Sequence, residues 1–257
     1  MDVDFSRLKA TVNKKKAVEN LGTLGYGNHY IEIDTDSNKN YYVGVHSGSR
    51  HLGQEIVEYY LTAGQEELRA RGENVSYELT YLTGNLMLEY LKDLRIAQKY
   101  AVLNRQIMLE EIIKGMKWKI IEIIDCPHNY IEFTGEKAIL RKGAISAREG
   151  EKVIIPINMR DGVIIGKGKG NADWNFSAPH GSGRILKRTE VKNHHTLSEF
   201  QTAMKGIYST SISKETLDES PFAYRGVESI KEAISETVEI EKILCPVYNF
   251  KAGSFKE

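Results

Sequence analysis

The segment FSAPHGSGR, residues 176–184, combines a residue type and a setting suited to covalent chemistry. His180 is followed by Gly-Ser-Gly, so little side chain surrounds it, and a bulky ligand such as a nucleotide phosphate can approach its ring and the flanking amides. An imidazole nitrogen can attack phosphorus and carry a phosphoryl or nucleotidyl group, dividing one difficult transfer into two easier ones. Histidine beside glycine is also common in turns, so an ordinary loop is the competing reading. Three further histidines lie in polar, glycine- or asparagine-rich surroundings: His29 in LGTLGYGNHYIEI, His46 in VGVHSGSRHLG and His128 in DCPHNYIE. Each borders a short apolar run of strand character, which is how a scaffold projects side chains from rigid elements into a shared cleft. Neutral imidazole is a common metal ligand, but no two of these histidines have the spacing of a helical pair. A metal site would therefore be assembled from distant segments; hydrogen-bonded loop histidines are the alternative.

The elements that must position these residues follow from periodicity and turn chemistry. Residues 1–20 read as a short amphipathic lead-in helix with Leu8, Val12 and Ala17 on its apolar face. Gly22, Gly25 and Gly27 form a loop able to adopt positive φ, although their spacing matches neither the dinucleotide-binding nor the P-loop pattern. Strands over 30–33 and 41–45, joined by a polar turn, predict a hairpin with Glu32 and His46 at its ends. Helices are predicted over 53–72 and 89–116. Asn104 and Arg105 interrupt the apolar stripe of the second, as a solvated face or a ligand contact. Isoleucine- and valine-rich runs at 119–124, 137–140, 152–157 and 162–165 read as strands. Arg141, Lys142, Gly143 and Arg148 form a basic turn, solvated on base rates or else meeting phosphate. Past His180, Arg184, Lys187 and Arg188 make a local positive patch leading into a helix. A short helix capped by Ser198 follows, then a final helix over 225–244 and the tail CPVYNFKAGSFKE, with His194 and His195 expected on the surface.

Composition limits the function classes. With 257 residues the chain can bury a substantial core. Its 35 basic and 35 acidic residues balance, so no global field draws it to nucleic acid or membrane, and any nucleic-acid surface must be local. Two cysteines, Cys126 and Cys245, make no disulfide framework; Cys126 reads as a small buried hydrophobe. No apolar run reaches the length of a membrane span or signal sequence, and the expected compartment is the cytoplasm.

GTLGYGNHYIE, HSGSR, a Pro-His-Asn-Tyr segment, RKGAISAR and HGSGR, in this order, together with the tail YNFKAG, resemble the RtcB family of RNA-splicing ligases over residues 22–251. The resemblance implies an α+β fold, with mixed β-sheets and flanking helices, as one catalytic region over 1–257. It implies joining of an RNA 3′-phosphate or 2′,3′-cyclic phosphate end to a 5′-hydroxyl end, in tRNA splicing or RNA repair, with GTP and manganese. Carried over by position, His180 matches the histidine that becomes guanylylated, with Gly181 and Gly183 letting the nucleotide approach. His29, His46 and His128 match metal ligands. Asn28, Glu32 and Asn129 match guanylate contacts, Lys251 the lysine that reads the guanine base, and Arg50 an arginine that holds RNA phosphate. Asn158 and Met159 stand in a further guanylate-contacting segment. An archease-like activator is a further partner the resemblance suggests.

Departures accompany the match. Ile157-Asn158-Met159-Arg160 stands where many members carry Gly-Ser-Met-Gly, and Ser182 replaces the usual alanine after the histidine. Full-length members also carry an Asp-x-Gly-Cys-Gly motif whose aspartate and cysteine ligate metal, and this sequence has none. Three neutral imidazoles favour zinc, copper or nickel over manganese, so the metal centre is expected to be incomplete and the chain to correspond to the C-terminal part of a ligase. An RNA- or nucleotide-binding subunit completed by an N-terminal partner is the alternative, and a histidine-metal phosphoesterase is a third reading.

Overall fold

The structure, a computed structural model, describes residues 3–135 and 137–251. Contacts divide the chain into two compact units: Ser47–Trp118 with the chain up to Gly25, and Tyr26–His46 with the chain from Lys119 onward.

The first unit is helical. Apolar residues at helical spacing bring Leu52, Ile56 and Tyr60 of α2 (Arg50–Ala70) against Ala97 and Tyr100 of α3 (Gly84–Met116), with Ala17 of the short α1 (Lys14–Glu19) in the same core. Both long helices begin before their expected first residues. The lead-in helix is shorter than expected, because other partners satisfy the backbone ahead of it. The buried Asp93 carboxylate accepts from the amides of Lys9 and Ala10 at 3.1 and 2.8 Å, and Asn13 caps α1 by accepting from Lys16 N. Asn104 is fully buried and does not lie on a solvated face. Its carbonyl accepts from Gly22 N at 2.7 Å and Thr23 N at 3.1 Å, and its amide donates to Thr23 O, Ser47 Oγ and Gly48 O. The glycine loop does adopt positive φ, at 76° for Gly22 and 90° for Gly25.

The second unit is built on β-structure. The expected hairpin forms from β1 (Tyr30–Thr35) and β2 (Tyr41–His46), antiparallel, with Tyr30 opposite His46. A second hairpin, β3 (Asn129–Thr134) with β4 (Lys137–Lys142), and a small pair, β5 (Ala144–Ser146) with β8 (Ser177–Pro179), lie off the main sheet. The main sheet runs β2-β1-β10-β7-β6, with β6 at Lys152–Asn158, β7 at Gly162–Gly168 and β10 at Val238–Lys251; the two-residue β9 (Tyr208–Ser209) pairs parallel to β10. Helices α4 (Arg188–His194), α5 (Leu197–Ala203) and α6 (Val227–Ala233) complete the unit. One core joins Val153, Ile155 and Ile164 of the sheet to Ile230 and Ile234; another gathers Val191, Phe200 and Met204. Together the two units give the mixed α+β class.

Three expectations are corrected here. The final helix over 225–244 stops at Ala233, and residues 238–251 are the long strand of the main sheet, paired with β7 along one stretch and β1 along the next. Val238 and Ile240 alternate with Glu239 and Glu241 at a period of two, the apolar residues resume at Ile243 and Leu244 after a register shift, and two partner strands decide in favour of the sheet. Residues 119–124 form no strand, and Ile121 is 97% exposed. Thr196, not Ser198, caps α5, in a reciprocal box with Glu199. Among the described residues no helix is long and apolar enough to cross a membrane.

Asp93 also accepts from Tyr60 Oη at 3.0 Å, so its removal leaves several buried donors unmet. Asp93→Ala should therefore lower the unfolding free energy by about 2–4 kcal/mol, measured as a reduced urea midpoint with an unchanged slope.

Candidate active site

The four histidines singled out in the sequence come together in the second unit. His46 ends β2, His29 directly precedes β1, His128 directly precedes β3, and His180 directly follows β8. Their rings form a row: centroids lie 5.8 Å apart for His29 and His46, 5.3 Å for His46 and His128, and 4.6 Å for His128 and His180. Tyr30 stacks on His46 at 5.3 Å. Burial, then the neighbouring His128, His29 and Lys251, push the pKa of His46 down to about 3, so this ring is neutral at ordinary pH.

Gly143 organises the end of the row. Its amide donates to His128 O at 2.9 Å and to Asn129 Oδ1 at 3.2 Å, while His180 Nδ1 lies 2.6 Å from its carbonyl oxygen. A carbonyl can only accept, so Nδ1 carries the proton, and it is Nε2 that offers the lone pair of the neutral ring. Gly143 has φ 68°, and a Cβ there would lie 3.3 Å from His180 Cε1. The loop beyond is held by the end of β6: Ser182 N donates to Pro156 O at 3.0 Å and Ser182 Oγ to Ile157 O at 2.6 Å, leaving Gly181 and Gly183 as the small residues beside the ring.

Arg141, expected in a solvated turn, is almost wholly buried and braces this region. It pairs with Glu132, donates to Ser177 Oγ at 3.0 Å and Tyr130 Oη at 3.0 Å, and reaches the carbonyls of Asn175 and Phe176. Those two residues have φ of 49° and 53°, uncommon for side-chain-bearing residues, just before the strand that delivers His180. Arg148 pairs with the other Glu132 oxygen at 2.8 Å and lies over the Phe176 ring.

The remaining candidates fall in two groups. Glu32 is buried on β1 opposite Asn249 and accepts from its side-chain amide. Lys251 is opposite Tyr30, buried, with Nζ 2.9 Å from Glu219 and 5.5 Å above the Tyr30 ring. Asn28 lies in the turn before His29. Asn158 donates to Asp161 Oδ2 at 2.8 Å, and Met159 is buried in the core it shares with α4 and α5. Arg50 belongs to the first unit, where its Nε donates to Thr23 Oγ1 at 3.1 Å. His194 is exposed as expected, but His195 is half-buried and stacks on Phe222. Cys126 packs, half-buried, against the sheet core.

The donor chemistry suits a metal in kind but is not closed around one. The rings stand side by side and His46 is in its ligating, neutral form. Yet among the described residues no three His, Cys, Asp or Glu side chains are grouped so as to hold one ion. An oriented imidazole beside further imidazoles and glycine backbone is an arrangement able to attack phosphorus. Comparison with known proteins is specific: the family model described as tRNA-splicing ligase RtcB matches residues 3–252, and the chain belongs to the RtcB family. It is 33% identical to the Escherichia coli RNA-splicing ligase RtcB over 240 residues, covering 86% of this chain and 59% of that protein. It is 28% identical to the Aeropyrum pernix tRNA-splicing ligase RtcB, covering 94% and 60%. The chain thus spans about 60% of the length of these relatives.

Residues that sequence reasoning missed are Arg141's bracing role, Asn249 and Glu219, none of which stands out by type or neighbours. Asp34 is the other titrating group of the site region. Burial raises its carboxyl to about 7, and burial followed by the Asp34 charge raises that of Glu32. Raised carboxyl pKa values mean that the folded chain keeps protons the unfolded chain releases above about pH 4. This contribution is fully present below the unfolded value and is lost as pH rises through the folded one. The melting temperature should therefore fall between about pH 5 and pH 8 by more in the parent than in Asp34→Asn, as calorimetry on both proteins would show.

Proposed function

We propose that this chain carries the nucleotidyl-transfer site of an RNA ligase that joins a 3′-phosphate or 2′,3′-cyclic phosphate end to a 5′-hydroxyl end, in tRNA splicing or RNA repair, with GTP and manganese. The observation that carries this reading is His180, with Nδ1 held by the Gly143 carbonyl and the neighbouring imidazoles alongside. Nε2 attacks the α-phosphorus of GTP, a P–N bond forms, and the P–O bond to pyrophosphate breaks. An RNA 3′-phosphate oxygen then displaces the imidazole, and the 5′-hydroxyl displaces GMP to seal the strand. Gly181 and Gly183 admit the nucleotide. Asn28, Asn129, Asn158, Met159 and Glu32 contact the guanylate, Lys251 reads the base, and Arg50 holds RNA phosphate. His29, His46 and His128 would hold manganese, which when bound neutralises charge on the phosphate. The reading takes residues 1–257 as one catalytic region and, with two free thiols, places its work in the cytoplasm.

A second reading has its own support. Among the described residues no three ligand side chains are grouped; on this reading the chain is a catalytically incomplete portion that an N-terminal partner bearing further ligands completes, with an archease-like protein as activator.

Incubation with α-phosphate-labelled GTP and manganese should leave acid-labile label on the parent protein and none on His180→Ala. Label that appears only after a separately made N-terminal portion of a relative is added would favour the second reading; no label in either case would sink both. In whichever form is active, Gly143→Ala should slow labelling about 10²-fold with little change in circular dichroism, because the added methyl moves the imidazole.

A further inference from the structure

Glu219 lies in the short turn Leu217–Glu219, outside every sequence motif, and its carboxylate is buried. It gathers four donors: Lys251 Nζ at 2.9 Å, Arg188 at 3.0 Å, Tyr224 Oη at 2.5 Å, and Arg184. Burial alone would raise its pKa, but Lys251, Tyr224 and Arg184 outweigh that and hold it below the usual range. Two of these donors, Arg184 and Arg188, come from the segment that follows His180, and Lys251 comes from the end of β10, opposite Tyr30. One carboxylate therefore links the nucleophile's segment to the strand end that carries the lysine.

We propose that Glu219 is a positioning residue that aims the Lys251 ammonium and thereby sets a preference for guanine over adenine. The inference rests on the assignment of base reading to Lys251. A lysine has a flexible stem and three rotatable donors, and unanchored it would satisfy almost any acceptor. Held by Glu219 through one N–H, and packed over Tyr30, it presents its other donors in a limited range of directions. Guanine offers a carbonyl at its six-position, whereas adenine offers an amino group that would meet the ammonium donor to donor. A buried, fixed donor discriminates well between such groups because the wrong one leaves it unpaired.

Two readouts test this on the full chain. The first needs no nucleotide: mass spectrometry of acetic anhydride modification should show Lys251 reacting about tenfold faster in Glu219→Gln, where the amide keeps the size but not the charge. The second is the ratio of GTP to ATP labelling of His180, with the N-terminal portion of a relative added if labelling requires it. This ratio should fall at least about tenfold in Glu219→Gln, mainly through KM for GTP, and recover in part in Glu219→Asp. Lys251→Met should lose the same preference, and the double variant no more than either single one. Unchanged Lys251 reactivity overturns the tether. Equal loss of GTP and ATP labelling, or additive losses in the double variant, overturns the selectivity role in favour of a structural one. A parent protein that takes up neither nucleotide removes the base-reading assignment itself, a failure separated from the first by the modification readout.

Discussion

One residue, Gly143, holds the candidate chemistry in place through the two peptide groups that meet at its Cα. Its N–H joins the backbone of His128 and the side chain of Asn129, while its carbonyl, in the next peptide plane, takes up Nδ1 of His180, so the dihedral angles of a single residue set the relation between two of the four imidazoles. The positive φ turns the carbonyl toward the ring, and the missing Cβ leaves room for it. Much of the surrounding structure keeps this residue where it is. β5 and β8 pair Ala144 with Pro179, fixing the residues immediately after Gly143 and before His180. Arg141 is buried behind them and holds two consecutive carbonyls of a backbone turn that would otherwise relax.

Buried charge is managed in two opposite ways within the second unit. Glu219 is supplied with enough cationic and hydroxyl donors to remain ionised, and its shared contacts tie separate segments together. Glu32 and Asp34, two positions apart on β1, have few such donors, so burial favours the protonated forms, and at Glu32 the Asp34 charge adds to the effect. The second arrangement costs stability as pH rises, and it leaves carboxyl groups able to donate as well as accept. On the proposed function, a purine edge, which offers both donors and acceptors, suits that versatility, where a permanently ionised carboxylate could only accept.

The histidines, the glycines and the first hairpin were legible in the sequence because their signals are local: residue type, turn chemistry and a period of two. Asn104 and Arg141 were misread because a polar residue among apolar ones looks the same whether it faces water or a buried set of backbone groups. Only the fold supplies Gly22, Ser47 and Gly48 for the one, and Glu132 with two carbonyls for the other. The last strand was misread for a related reason: residues 225–251 begin with helical spacing, and the change of period near Val238 becomes decisive only once β7 and β1 are available as partners. Glu219 carried no signal at all, since its partners lie between five and 35 residues away in sequence.

The row of imidazoles has a physical consequence for any ligand it meets. Rings at centroid separations near 5 Å resist being protonated together, because like charges repel; burial first and then this repulsion hold down the pKa of His46. Neutral rings offer lone pairs without needing to release a proton first, so a cation can be taken up without the proton exchange that a cysteine thiol would require. They contribute no negative charge, however, and a hard divalent ion beside a phosphate prefers oxygen and anionic ligands. The phosphate can meet part of that need. On the proposed function, nucleotide and metal binding should then reinforce each other at this site, each supplying what the other's partners lack, and the coupling should be strongest where the protein contributes the fewest anionic ligands.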